Sequence, residues 1–229
     1  MPSPRRTGDI ASPSPASDPD VVLEAVGIAK SYRSGIWPFR ATKSVLRGVD
    51  LTLYGGEVVG LVGENGAGKS TLMNILVGAQ NADDGTVEHA GALGFCPQQP
   101  LVYARLTCDE HFELFGRAYR MTPAAERVAR RNLYASLGFA QYATTRADQL
   151  SGGTLAKLNL SLALLADPGL LLLDEPYAGF DWDTYQKFWT LVAERRTLGR
   201  TVLIISHFVT DEQRFDRIFD IRDGQAIQR

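Results

Sequence analysis

Cysteine is scarce: Cys96 and Cys108 are the two thiols in 229 residues, without CxxC spacing, so neither a disulfide framework nor a zinc site is indicated. A reducing compartment fits. Also missing is any window near the roughly 18 uninterrupted apolar residues that a bilayer-spanning helix needs, and the chain does not start with a signal-peptide core. The expectation is a cytosolic chain whose membrane spans, if its work requires any, come from another subunit. Charge of neither sign is in excess, since 24 Lys and Arg face 26 Asp and Glu for a net charge of −2. No global field therefore favours nucleic acid or an acidic lipid surface. No internal repeat is evident, which argues against a solenoid.

What is present reads as an ordinary globular domain, with 45% apolar and 22% charged residues. The length suits one nucleotide-sized α/β unit. Residues 1–20 hold five of the eleven prolines, with Ser, Asp and the pair Arg5-Arg6, and are expected to form a disordered Pro/Ser-rich tail. From Val21 onward short apolar runs dominate. Val58-Val59-Gly60-Leu61-Val62 lacks polar alternation and predicts a fully buried strand. Leu170 to Leu173 and Thr201 to Ile205 read the same way, and each is followed by a polar residue. Such strands separated by helical stretches predict a mainly parallel sheet with helices on both faces. Between about Pro100 and Ala166 the pattern is helical, with Leu155, Leu158, Leu162 and Leu165 on one face. A helical subdomain at about 100–166 is therefore expected between the two halves of the sheet.

The chemistry begins at Gly63-Glu64-Asn65-Gly66-Ala67-Gly68-Lys69-Ser70-Thr71, which fits G-x-x-x-x-G-K-S/T. The glycines let backbone N–H groups wrap a β-phosphate, Lys69 reaches the β- and γ-oxygens, and Ser70 offers a hydroxyl to Mg²⁺. The strand before it and the helix after it, carrying Leu72, Ile75 and Leu76 inward and ending near Gly78, argue against a chance match. Downstream, Asp174-Glu175 closes a buried strand. Asp174 suits Mg²⁺ and Glu175 suits the attacking water.

Leu150-Ser151-Gly152-Gly153, which opens the leucine-striped helix, resembles the signature motif of ATP-binding cassette (ABC) proteins. The resemblance covers roughly residues 21–229 and implies a P-loop NTPase (RecA-like) α/β fold with a small antiparallel β subdomain and an inserted helical subdomain. It implies ATP and Mg²⁺ as cofactors, and Ser151, Gly152 and Gly153 binding the γ-phosphate of ATP held by an opposite subunit. Tyr32 matches the aromatic that stacks on adenine. Gln98, with Gln99 as the competing assignment, matches the glutamine at Mg²⁺. Asp181, in Pro176-Tyr177-Ala178-Gly179-Phe180-Asp181, matches the acid of the loop crossing the dimer interface, and His207 the histidine at the γ-phosphate. His89 and His111 lack such context and are expected at the surface.

Three departures stand out. Thr154 replaces the glutamine often found after the signature glycines, Tyr177 stands where threonine is common, and the stretch from Ala79 to Gln98 is short for the family's antiparallel strands. The resemblance implies a subunit that binds and hydrolyses ATP, pairs with a second ATP-binding subunit (a homodimer or a related chain), and serves a polytopic membrane permease, in the manner of bacterial exporters. Such a chain sits peripherally on the inner face of the cell membrane. The alternatives are a cytosolic ABC ATPase acting on ribosomes or nucleic acid, and a module that holds ATP without hydrolysing it. The absence of a second cassette, a coiled-coil insert, zinc-binding cysteines or a basic patch speaks against the first, and Glu175 with His207 against the second. Ile36-Trp37-Pro38-Phe39 is an apolar patch in a polar loop, read as packing on the core in preference to a partner or membrane contact.

Overall fold

The computed structural model describes residues 20–34, 41–206 and 212–229. Residues 1–19 of the expected tail, the Ile36 to Phe39 patch and His207 lie outside the described residues.

A six-stranded sheet in the order β5-β6-β7-β3-β8-β9 forms the centre. Its strands are β3 (Val58–Val62), β5 (Leu93–Cys96), β6 (Leu170–Asp174), β7 (Thr201–Ile205), β8 (Arg217–Arg222) and β9 (Gln225–Gln228). All pairings are parallel except β8 with β9. Every residue of β3, β6 and β7 is buried. That burial on both faces explains why these strands lack polar alternation.

Successive side chains of a strand point to opposite faces, so the sheet feeds two cores. Leu171, Leu173, Val202 and Ile204 face α2 (Cys108–Ala118), α3 (Pro123–Leu137), α4 (Gly152–Leu164) and α5 (Trp182–Thr197). Leu170, Leu172, Leu203 and Ile205 face α1 (Lys69–Leu76) and a three-stranded antiparallel sheet. That second sheet, ordered β2-β1-β4, comprises β1 (Val21–Ser34), β2 (Ala41–Tyr54) and β4 (Asp84–His89). The segment that looked short for this layer supplies one of its strands, β4. The architecture is the expected one, a mainly parallel sheet with flanking helices, an antiparallel β layer, and helices inserted between β5 and β6.

His111 corrects the surface expectation. It is fully buried in α2. Its Nε2 accepts the Tyr103 N–H at 2.9 Å and its Nδ1 lies 2.7 Å from the Thr107 carbonyl. With Nε2 accepting, the ring proton sits on Nδ1 and donates to Thr107. Two backbone partners satisfy both nitrogens, which removes the main penalty of burying a polar ring. His89 is exposed, as expected.

Candidate active site

The loop between β3 and α1 determines the site. Gly68 is the N-cap of α1 at φ +112°, a left-handed conformation, and contributes no side-chain cap. The first N–H groups of α1 therefore have no side-chain acceptor, and an anion placed there meets both those donors and the positive end of the helix. Lys69 is 5% exposed. Its Nζ donates to the carbonyls of Gly63 at 2.7 Å and Glu64 at 3.0 Å, which folds the ammonium back over the loop. Burial lowers its pKa from the ordinary lysine value, while Glu175, Asp174 and Asp220 oppose that shift.

A cleft of about 400 Å³ is lined by Val45, Asn65, Gly66, Gly68, Lys69, Ser70, Thr71, Gln98 and Glu175. Residues far apart in sequence thus meet at the carboxyl ends of neighbouring parallel strands, since Gln98 follows β5 and Glu175 follows β6. Gln99 is not among the lining residues. Asp174 ends β6 in register with Ile205 and is 5% exposed. Glu175 has φ +50° and donates its N–H to the Ile205 carbonyl at 3.2 Å. A non-glycine residue in that region costs of order 1–3 kcal/mol, a type of strain that collects at functional sites. Here it turns the carboxylate from the sheet into the cleft.

Other predicted residues lie around this centre. Tyr32 on β1 is 41% exposed; its hydroxyl accepts from Gln80 Nε2 at 2.6 Å and lies 3.4 Å from Thr71 Oγ1. The ring is thereby fixed beside the first turn of α1. Ser151 caps α4, accepting the Thr154 N–H at 3.3 Å, and the two hydroxyls lie 3.0 Å apart. Asp181 caps α5 through the Thr184 N–H at 2.8 Å, a bond that holds its carboxyl below the usual aspartate range. Ser151, Gly152, Gly153 and Asp181 are not brought into the Lys69 cleft.

Three features escaped the sequence reading. Val45 lines the cleft from β2, and nothing in its local pattern marks it. Asp220 on β8 is 4% exposed and forms ion pairs with Arg222 and Arg229. Burial pushes its carboxyl up, but the two arginines outweigh this and hold it below the ordinary value. An acid inside the apolar run Ile218 to Ile221 was the available signal. Tyr177 donates its hydroxyl to Ser206 Oγ at 2.5 Å and packs edge-on against Tyr185 and Phe188. It tethers the turn after Glu175 to the residue that precedes His207.

The family profile described as "ABC transporter" matches residues 46–178. The chain is 33% identical to the macrolide export ATP-binding/permease protein MacB of Azoarcus sp. (strain BH72), covering 90% of this chain and 33% of that protein. It is also 33% identical to the Nod factor export ATP-binding protein I of Azorhizobium caulinodans, covering 83% of this chain and 64% of that one. The chain thus spans less than two thirds of the length of these curated relatives. Among solved structures, a dimeric ATP-binding cassette in a post-hydrolysis state bound to ADP and Pi superposes with a TM-score of 0.82 at 24% identity, covering 90% of this chain and 97% of that one. With this match over more than half its length, carrying the phosphate loop, the Ser151 to Gly153 motif and the Asp174-Glu175 pair, the chain belongs to the ABC transporter family.

Proposed function

We propose that this chain is the ATP-binding and hydrolysing subunit of an ABC transporter, and that it drives substrate movement, in the export direction, through a separate membrane subunit. The observation that carries this reading is the single cleft in which the uncapped start of α1, Lys69, Ser70, Gln98 and Glu175 converge. The export-named relatives support the direction. No helix among the described residues is long and apolar enough to cross a membrane, so in this reading the spans belong to a polytopic partner, and the chain works peripherally on the inner face of the cell membrane. The helices between about Pro100 and Ala166 are the subdomain that would meet that partner.

ATP would lie with its adenine at Tyr32 and its β- and γ-phosphates on the backbone N–H groups from Gly66 to Thr71, with Lys69 on the terminal oxygens. Ser70, Gln98 and Asp174 offer a hydroxyl, an amide oxygen and a carboxylate, the hard-oxygen set that suits Mg²⁺, with phosphate oxygens completing the shell. Held by these residues, Mg²⁺ would supply charge neutralisation at the phosphates. Glu175 accepts a proton from water as its oxygen attacks the γ-phosphorus; the bridging P–O bond breaks and ADP leaves.

Ser151, Gly152 and Gly153 begin a different helix and do not line this cleft, which supports their use on the nucleotide of a second ATP-binding chain. Two chains pairing head to tail would each complete the other's site, with His207 and Asp181 at the same interface. ATP contacted from both sides favours the closed pair, and hydrolysis removes that preference.

Glu175→Gln tests the assignment. ATP binding should persist, turnover should fall about 10²- to 10⁴-fold, and a stable ATP-bound dimer should accumulate, as read by phosphate release and light scattering. Normal phosphate release would remove Glu175 from the reaction. Co-purification tests the partner: a polytopic membrane protein is expected, and recovery with ribosomes would sink the transporter reading.

A further inference from the structure

Helix α4 carries a feature that its leucine stripe hides. Every residue from Leu158 to Leu165 is buried, and two of them, Asn159 and Ser161, are polar. Ser161 satisfies itself locally, donating to the Lys157 carbonyl at 2.8 Å in its own helix. Asn159 does not. Its Nδ2 donates to the Pro97 carbonyl at 2.8 Å and approaches Cys96 Sγ at 3.2 Å, reaching the end of β5 across 62 residues of sequence. The residue after Pro97 is Gln98, in the Lys69 cleft. The cap of the same helix is Ser151, eight residues or about 12 Å along the axis from Asn159.

We infer that Asn159 is a positioning residue that ties Gln98 to the helix bearing Ser151, Gly152 and Gly153, so that nucleotide seated in one chain's own cleft sets the pose of the motif it presents to the other chain. The inference rests on the ATPase dimer reading above. A carboxamide in an apolar interior is costly when its protons lose their partners, so any movement of α4 that stretched the Asn159 to Pro97 bond would be resisted unless the Gln98 segment followed. The strand end is equally fixed, because Cys96 pairs with Leu173 beside Asp174. The link therefore joins three parts of the machinery: the Gln98 segment, the end of β6 and the α4 start. Nothing else in α4 makes that connection through a buried side-chain hydrogen bond, among the bonds of the described residues.

A link of this kind acts on pairing and not on single-chain binding, and that split separates positioning from mere support. In a Glu175→Gln background, Asn159→Ala should bind ATP at high dilution within about twofold of its parent, yet need about tenfold more protein to form the ATP-bound dimer. With Glu175 intact, the same change should lower kcat with little change in KM. Ser161→Ala removes the other polar group of the buried Leu158 to Leu165 stretch and should leave both readouts unchanged. Leu162→Ala, a cavity variant on the same helix, should lower the melting temperature without shifting dimerisation relative to the folded fraction. If Asn159→Ala does not fold, the smaller change Asn159→Ser is read in the same way. Dimerisation of the folded Asn159 variant at the concentration of its parent would overturn the inference while leaving the ATPase reading intact. A parent chain that neither binds nor hydrolyses ATP would overturn both.

Discussion

Two helix starts in this molecule were built by opposite rules. Helix α4 begins on Ser151, whose hydroxyl occupies the Thr154 N–H. Helix α1 begins on Gly68, which has no side chain to give. The other long helices follow the α4 pattern: Thr107 forms a capping box with Glu110 on α2, Thr122 caps α3 and Asp181 caps α5. A glycine cap leaves backbone donors without a side-chain acceptor, at a cost of roughly a few tenths of a kcal/mol relative to Ser or Thr. At α1 the fold accepts that cost where the proposed anion would sit, so in this reading the first phosphate site is backbone geometry set by one chain. At α4 the equivalent donors are already partly satisfied, and what the helix offers outward is one hydroxyl and two glycine N–H groups. In the proposed reading the first site is assembled within one chain, whereas the second would need a partner's nucleotide to become a site.

If that contrast holds, disabling the first site should abolish binding to the single chain and disabling the second should not. Lys69→Ala should weaken ATP binding by roughly 10- to 100-fold, the equivalent of about 1.5–3 kcal/mol for a charge-assisted contact. Ser151→Ala should leave single-chain binding within about twofold, as measured by calorimetry at concentrations too low for pairing. Equal losses in both variants would mean that α4 shares the first cleft, and the composite-site reading would fall.

Backbone substitutions sharpen the same contrast in stability. A Cβ at Gly68 would lie 2.9 Å from Leu46 Cδ2 and 2.9 Å from Val45 Cγ1, at φ +112°. Gly68→Ala should therefore destabilise the chain by about 1–3 kcal/mol in urea unfolding. Gly152 behaves differently, since a Cβ there meets nothing within 4 Å, so Gly152→Ala should be neutral or up to about 1 kcal/mol stabilising. Its neighbour does not share that freedom. A Cβ at Gly153 would meet the Gly179 carbonyl at 2.7 Å, which makes Gly153 the point where α4 touches the turn leading to Asp181. A Gly152→Ala variant as unstable as Gly68→Ala would show that α4 begins in a different conformation. Between these extremes, loss of the Ser151 cap should cost about 1 kcal/mol of stability.

Much of the first site was legible in the sequence, and less of the second, for a physical reason. Wrapping a phosphate with backbone N–H groups demands glycines and a lysine at fixed spacing, so the chemistry is written contiguously from Gly63 to Thr71. The strands that carry it are buried on both faces, and Val58 to Val62, Leu170 to Leu173 and Thr201 to Ile205 announced themselves as unbroken apolar runs. By contrast β1 and β2 are half-exposed and interrupted by register shifts, which blurs a period-two pattern. His111 was misplaced because its burial depends on the Tyr103 N–H and the Thr107 carbonyl, partners that no composition reveals. The same holds for Asn159 and Pro97, and for Tyr177 and Ser206, whose bonds join residues distant in sequence.

The smallest expected effect concerns the third kind of helix start, the charged cap. Asp181 accepts the Thr184 N–H at 2.8 Å, and that bond holds its carboxyl below the ordinary aspartate value. A carboxyl with a depressed folded-state pKa contributes stability that is present above the unfolded value, near pH 4, and lost as pH falls through the lower folded value. Ser151 has no charge to lose, so the α4 start is indifferent to acid over the same range. Asp181→Asn keeps a good cap and removes the titration. The variant should be close to the parent in urea unfolding near neutral pH and should lose stability less steeply than the parent below about pH 4. Parallel acid profiles for the two proteins would mean that the α5 cap contributes through its geometry alone, as Ser151 does at α4.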